Sequence, residues 1–406
     1  MVRRGLFIAA VVIATVAAIT VTARGVRFVR RMYAVRSLFS AAVDVSVASG
    51  NIVLYDSRGV PRRTVEMSSD PVGPAWLRSV GRKRWWDACD PVIALTVAPR
   101  SAEEADFMFA QLPSLTELES MTIDDRWGVV GDRHLSIVGS LPNMKVIDLR
   151  CRNITAAGIR AVAGLPSLRV LSCDASSDLD LCLRELAVAK GLVALRIRVS
   201  DGDSLTLAPM GRLSALQELI FVGEGSDFDV WELAALDGLP CLDRLSLVGL
   251  RLLGRTSEAR RSWKLRAPIT VLTMSHVEID GEDLMRIVSA PHLKVIKVTD
   301  LEANGDCTLS ALVNAAQVSA LEIAWSPQVD DSTLVHLARM RGLTDVKLIG
   351  CPQVTAEGLL QFLDSTSLKR LDAIGIRPSI AVVELRRRSV SGEIVAATRD
   401  RSSFAP

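Results

Sequence analysis

Four histidines, His134, His276, His292 and His336, are spread along the chain, and none stands in a His-x-x-x-His or His-Glu-x-x-His arrangement that would aim two imidazoles at one metal. No Gly-x-Ser-x-Gly elbow and no phosphate-cradling glycine loop occurs. Seven cysteines, Cys89, Cys151, Cys173, Cys182, Cys241, Cys307 and Cys351, are scattered singly, without metal-ligand spacing and without a visible disulfide framework. No cofactor or metal is expected on these grounds, and the chain does not read as an enzyme. The residues with chemistry to offer are charges that recur in step with an apolar period: Asp148, Arg150, Asp174, Arg196, Arg198, Lys297, Glu322 and Lys347, with Trp325 beside them. Such groups recognise a partner by ion pairing and desolvated contact; they do not transform a substrate.

The period that positions them runs from about residue 92 to residue 373. Apolar anchors fall at Val92, Leu118, Met144, Leu168, Leu192, Leu216, Leu242, Ile269, Leu293, Val318, Leu343 and Leu368, spaced 24 to 27 residues apart. The third and fifth residues after an anchor are usually apolar too, as in Met144, Ile147 and Leu149, which predicts a short half-buried strand. A turn and an apolar stretch at helical spacing follow, clearest in Ile154–Val162 and Val354–Phe362, where Thr155 and Thr355 are suited to cap helix N-termini. One strand-plus-helix unit cannot bury its own apolar face, so stacked neighbours must do so. The expected fold is an α/β solenoid with a parallel sheet, irregular around Ser176–Leu183 and Arg255–Lys264.

These units resemble leucine-rich repeats of the cysteine-containing, ribonuclease-inhibitor-like kind, and Leu348-Ile-Gly-Cys351-Pro-Gln-Val354-Thr-Ala-Glu-Gly358-Leu359 carries the likeness most fully. The resemblance implies a horseshoe whose concave face is the parallel sheet, and a binding function. Strand alternation places the fourth and sixth residues after each anchor on that face. The fourth-position row includes Asp148, Arg196, Lys297, Glu322 and Lys347. The sixth-position row begins Ala98, Asp124, Arg150, Asp174, Arg198 and turns apolar in its second half. With strands about 4.8 Å apart, Asp124, Arg150, Asp174 and Arg198 could pair along the row, each exposed pair worth under ~1 kcal/mol, or could serve a partner. Cys173 at an inward strand position and Cys351 just past a strand are expected to pack as small apolar residues.

Residues Leu6–Ala23 carry no charge and would span about 27 Å as a helix, enough to cross a bilayer. A single-pass anchor is expected, with a cleavable signal peptide as the alternative, since Arg3 and Arg4 precede the run and Val21-Thr-Ala23 resembles a cleavage site. Arg24, Arg27, Arg30, Arg31 and Arg36 outnumber the positive charges before the run, so the repeats are expected to face the cytoplasm. The chain then divides into an anchor and basic stretch (1–36), a small cap module (37–90), the repeats (91–376) and a C-terminal cap and tail (377–406). Within the cap, Val43–Val47 and Ile52–Tyr55 read as a hairpin, and Trp76, Trp85 and Trp86 are candidates for closing the first repeat. The arrangement of anchor, basic stretch, small β segment and repeats is similar to bacterial membrane-anchored leucine-rich repeat proteins. Ile380–Arg388 followed by Ile394-Val395 is similar to the closing helix and strand of such proteins.

A formal charge of +2, aromatic residues at 4% and acids that interrupt every basic row argue against nucleic acid as the partner. One basic cluster, Arg251 to Arg266, could touch anionic lipid or an acidic partner. The expected function is membrane-anchored protein–protein recognition through the concave face, involving Arg150, Arg196, Arg198, Asp148, Asp174, Lys297, Glu322, Trp325 and Lys347. The alternatives are a substrate-recruiting adaptor of an enzyme complex, as some proteins with similar repeats serve in ubiquitin ligases, and an exported soluble repeat protein.

Overall fold

The computed structural model describes residues 94–174, 179–200, 206–254, 263–304, 312–313, 315–365 and 367–375, with the strands Ile52–Tyr55, Pro61–Val65 and Glu393–Ala397. The chain divides into two compact units, Met1–Leu168 and Arg169–Pro406.

In the first unit, β1 (Ile52–Tyr55) and β2 (Pro61–Val65) form an antiparallel pair. Strands β3 (Ala94–Val97), β4 (Ser120–Asp125) and β5 (Val146–Cys151) lie parallel. Register sets Leu95 beside Met121 and Met121 beside Ile147, then Val97 beside Ile123 and Ile123 beside Leu149, so each apolar column continues from strand to strand. These side chains are at most 2% exposed, and burying each is worth about 1.5–3 kcal/mol relative to leaving it in water. Helices Ala102–Gln111, Asp132–Val138 and Ala156–Ala163 follow the three strands in turn.

The second unit repeats the plan in β6 (Val170–Cys173), β7 (Ala194–Arg198), β8 (Glu218–Asp229), β9 (Arg244–Leu253) and β10 (Val271–Ser275). The short β11 (Glu278–Asp280) pairs with β9 and with β13 (Glu302–Asn304) beside the main sheet. The main sheet continues through β12 (Val295–Thr299), β14 (Ala320–Ala324), β15 (Asp345–Ile349), β16 (Arg370–Ile374) and β17 (Glu393–Ala397), every neighbouring pair parallel. Leu219, Leu245, Leu272, Ile296, Leu321 and Val346 occupy one register position on successive strands, all nearly fully buried. Across both units, each of the twelve strands from β3 to β16, the short side strands β11 and β13 apart, begins two residues after its sequence anchor. The described repeats therefore have the leucine-rich repeat architecture.

Thr155 and Thr355 cap their helices as expected, and each is itself held by the preceding repeat. Asp132 accepts from Thr155 N at 2.9 Å and Oγ1 at 2.6 Å. Asp331 accepts from Thr355 N at 2.8 Å and Oγ1 at 2.7 Å. A helical glycine three residues after each threonine, Gly158 or Gly358, leaves room for that carboxylate. An Asp–Thr–Gly stitch thus ties consecutive repeats at their helix N-termini in both units.

Several expectations are corrected. Ile52–Tyr55 pairs with the segment after it, Pro61–Val65, while Val43–Val47, its expected partner, lies outside the described residues. Proline is tolerated as the first residue of a strand, as at Pro61. The Ser176–Leu183 stretch is not irregular throughout: Leu179–Leu186 is an α-helix that buries Leu179, Cys182, Leu183 and Leu186 at helical spacing. Among the described residues, the backs at Ala208–Arg212 and Val230–Gly238 are 3-10 helices, the first with Pro209 at its start; of the Arg255–Lys264 stretch only Trp263 and Lys264 are described. Cys173 and Cys351 are buried among apolar neighbours, as is Cys182, while Cys241 is exposed. Burial raises the Cys351 thiol above its ordinary range, which keeps it in the unreactive protonated form. The Leu6–Ala23 segment, the three cap tryptophans, Arg255, Arg260, Arg261 and Ile380–Arg388 lie outside the described residues. Among the described residues no helix is long and apolar enough to cross a membrane.

The stitch gives a direct test. A Cβ at Gly158 would stand 2.5 Å from Asp132 Oδ1 and 2.9 Å from Leu135 Cδ1. Gly158→Ala and Gly358→Ala should therefore each destabilise by about 1–3 kcal/mol through overpacking, although alanine at an unhindered helical site would stabilise by up to about 1 kcal/mol. Chemical denaturation decides it, and a raised midpoint in both variants would refute the stitch.

Candidate functional site

The sheet face opposite the apolar columns is where the predicted residues stand. Pleating puts alternate side chains there, and the parallel register turns each position into a row across strands.

In the first unit the row does not pair as the spacing suggested. Asp124 is level with Arg150 in the register, yet Arg150 binds Asp148, two residues back on its own strand, through Nε and Nη2, both at 3.0 Å. Asp124 is held by Arg126 at 3.1 Å in the same manner. Two residues along a strand return to the same face, and an arginine folded back onto its own strand reaches its partner without crossing to a neighbour. Trp127, just past β4, is 70% exposed and was not nominated by the spacing.

In the second unit Arg198 does pair across strands. It lies 3.3 Å from Asp174 and donates to Glu224 at 2.6 Å. Arg196 sits between Ser172 and Ile220 in the register and has no ion-pair partner among the described residues. Farther along, Lys297, Glu322 and Lys347 are consecutive in the fourth-position row, with Lys297 Nζ 3.1 Å and Lys347 Nζ 3.2 Å from the Glu322 carboxylate. Burial of Glu322 works against its ionisation, but the two ammonium groups outweigh it and hold its pKa below the ordinary 4.5. At neutral pH the triad carries two positive charges for one negative.

Beside Lys297, the face carries a cluster of small hydroxyls. Thr273, Ser275 and Thr299 are 6%, 4% and 7% exposed, and their hydroxyls have no hydrogen-bond partner among the described residues. Thr273 is level with Lys297, and Ser275 with Thr299.

A further column, which the alternation argument missed, stands one residue beyond the strand ends. His276, Asp300 and Trp325 adopt left-handed backbone with φ of 52°, 49° and 55°, as do the glycines at the equivalent place in other repeats, Gly249, Gly350 and Gly375. His276 N donates to Thr299 O at 2.8 Å, Asp300 N to Ala324 O at 2.9 Å, and Trp325 N to Ile349 O at 2.8 Å. Val199, seven residues after Leu192, donates to Val222 O at 2.8 Å without a positive φ, so the left-handed backbone belongs to particular repeats and not to every one. The recurrence of glycine seven residues after Leu242, Leu343 and Leu368 was the available sequence signal. Left-handed backbone costs a non-glycine residue roughly 1–2 kcal/mol, less for aspartate. His276 Nδ1 meets Asp300 Oδ2 at 3.0 Å. The Trp325 indole is 49% exposed and lies over Gly350, where a Cβ would come within 2.5 Å of the ring.

Among the described residues Ser275 Oγ has no hydrogen-bond partner, so it is not bonded to the His276–Asp300 pair. His134 is buried between Asp106, at 2.9 Å, and the Gly131 amide, at 3.0 Å, an arrangement that fixes two helices. Among the described residues no group of three His, Cys, Asp or Glu side chains could hold a metal ion.

No protein-family profile and no curated sequence matches the chain. Solved structures do. An internalin from Listeria monocytogenes aligns at 18% identity over 76% of this chain and 87% of its own, with a TM-score of 0.42. TLR13, solved in complex with ssRNA13, aligns at 16% identity over 71% of this chain and 40% of its own, with a TM-score of 0.47. An internalin C2 from Listeria monocytogenes aligns at 16% identity over 57% of this chain and 80% of its own, with a TM-score of 0.30.

Two measurements probe the site. Because the native Glu322 pKa is depressed, its contribution is fully present above about pH 4.5 and is lost as the pH falls through the native value. Glu322→Gln should cost about 1 kcal/mol at pH 7, and the gap to the parent should narrow as the pH falls below 4.5 and Glu322 protonates; a pH-independent gap would refute the triad. His276→Gly should stabilise by about 0.5–1 kcal/mol, because relief of left-handed strain exceeds the entropy cost of glycine and the exposed pair to Asp300 is worth little. A lower unfolding midpoint would show that the column is not strained.

Proposed function

We propose that this chain is a membrane-anchored recognition module that binds a protein partner through the outward face of its repeat sheet. The observation that carries the reading is a parallel sheet whose inner columns are fully occupied by packing, while its other face holds charged and aromatic side chains in fixed rows. A preformed sheet loses little conformational freedom on binding, so most of the contact energy is retained as affinity. The binding residues are Arg150, Arg196, Arg198, Asp148, Asp174, Lys297, Glu322, Trp325 and Lys347. Residues 1–36 serve as anchor and basic juxtamembrane stretch, 37–90 as the N-terminal cap, 91–376 as the repeats and 377–406 as the C-terminal cap and tail, with the repeats in the cytoplasm. Catalysis and nucleic-acid binding are not part of this reading: alternating charge along the rows supplies no continuous basic stripe, and no reactive constellation is assembled among the described residues.

Proximity labelling of the full-length protein in its own cells, with an Arg196→Glu/Arg198→Glu variant as control, tests this. The variant should lose labelled partners while its thermal unfolding stays nearly unchanged. Partners found on the cytoplasmic side fix the orientation; an unchanged partner set excludes the arginine region, and an empty set in the parent sinks the reading.

A further inference from the structure

The left-handed column at the strand ends is where side-chain identity and backbone demand conflict. Gly249, Gly350 and Gly375 meet the conformation without penalty, whereas His276, Asp300 and Trp325, three consecutive repeats of the second unit, do not. Of these, tryptophan is the residue for which positive φ is least expected. Fold stability alone would place glycine there. Strained residues held by a surrounding structure are a mark of a working surface, and this one adjoins two independent features. One is the cluster of buried, unpartnered hydroxyls on Thr273, Ser275 and Thr299. The other is the Lys297–Glu322–Lys347 triad, with its excess of one positive charge.

We infer that β10 to β15 and the rim formed by His276, Asp300 and Trp325 are the docking site for a polypeptide segment that presents a carboxylate next to a flat apolar side chain. This deepens the proposed function and rests on it. The apolar group lies on the half-exposed indole, which Gly350 holds from below. The carboxylate settles against the surplus ammonium charge of Lys297 and Lys347, which share one glutamate. By side-chain rotation the three hydroxyls, now closed to solvent, turn toward the segment's backbone amides and carbonyls and gain the partners they lack. Hydroxyls both donate and accept, so they suit a peptide backbone, which offers both kinds of group. An acidic segment is selected over a basic one by the charge of the triad, and over a purely hydrophilic one by the indole.

Panning a displayed library of random dodecapeptides against the immobilised full-length chain tests this. Enriched peptides should pair Asp or Glu with an adjacent Leu, Phe, Tyr or Trp. Their binding should fall at least tenfold for Trp325→Ala and for Lys297→Glu/Lys347→Glu, and hold for Lys190→Glu, an exposed turn residue away from the sheet face. Circular dichroism of each variant must show native unfolding behaviour, and Trp325→Phe, which keeps a flat apolar ring, should retain part of the affinity. Peptides that tolerate Trp325→Ala but lose binding with the Arg196→Glu/Arg198→Glu variant would overturn this site and leave sheet-face recognition standing. Enrichment without the acidic-apolar pattern, or none at all, overturns the inference. If no peptide is enriched but immobilised glycans bind the parent and not Trp325→Ala, the site takes a saccharide and the peptide assignment is wrong.

Discussion

The structure depends on the stacking of one repeat's apolar strand residues on the next repeat's, in register. A four- to six-residue strand with a helix behind it exposes as much apolar surface as it covers, and only a neighbour offering the same pattern at about 4.8 Å removes that surface from water. Leu245 is buried because Leu219 and Leu272 flank it, and Leu272 because Leu245 and Ile296 flank it. The backbone ladder enforces the alignment, since a slip of one residue would turn every leucine outward. Much else in each repeat can then vary. The backs change from α-helix to 3-10 helix at Ala208–Arg212 and Val230–Gly238 while Leu219 and Leu245 remain in column.

The same constraint explains why polar stitching concentrates at the helix starts. A repeat held only by apolar columns could slide in its helical layer. Asp132 and Asp331 instead fix the next helix through both the amide and the hydroxyl of a capping threonine. These are charge-assisted bonds at a helix N-terminus, where a carboxylate is also favoured by the helix dipole. Asp330, which caps the helix at Asp331–Ala338, has its pKa lowered chiefly by the Thr333 amide it accepts from, the same physics within one repeat.

Rows on the outward face are free of packing duty and record what the chain does besides fold. In the first unit the charges close into pairs along their own strands. In the second, Arg196 has no ion-pair partner among the described residues, the lysine triad is unbalanced, three hydroxyls are unpartnered, and three side chains tolerate left-handed backbone. Unsatisfied bonding capacity and strain occur together there, as expected where folding stability is traded for recognition.

The sequence by itself determined the repeat, the strand positions, the inward columns, the cysteine packing and the Thr155 and Thr355 caps, because each follows from a local period repeated twelve times. It named the Lys297–Glu322–Lys347 row for the same reason. It left Arg150 open between a row neighbour and a binding partner and did not name Asp148, since level neighbours and same-strand neighbours are equally compatible with a period and only side-chain rotamers choose between them. It did not name Pro61–Val65 as a strand paired with Ile52–Tyr55, because turn residues stand on both sides of that segment. The left-handed column was legible only in its glycines. Only the tertiary structure decided that His276, Asp300 and Trp325 share the left-handed backbone of those glycines, since Val199 makes the equivalent hydrogen bond to the next repeat without it and no local pattern separates the two cases.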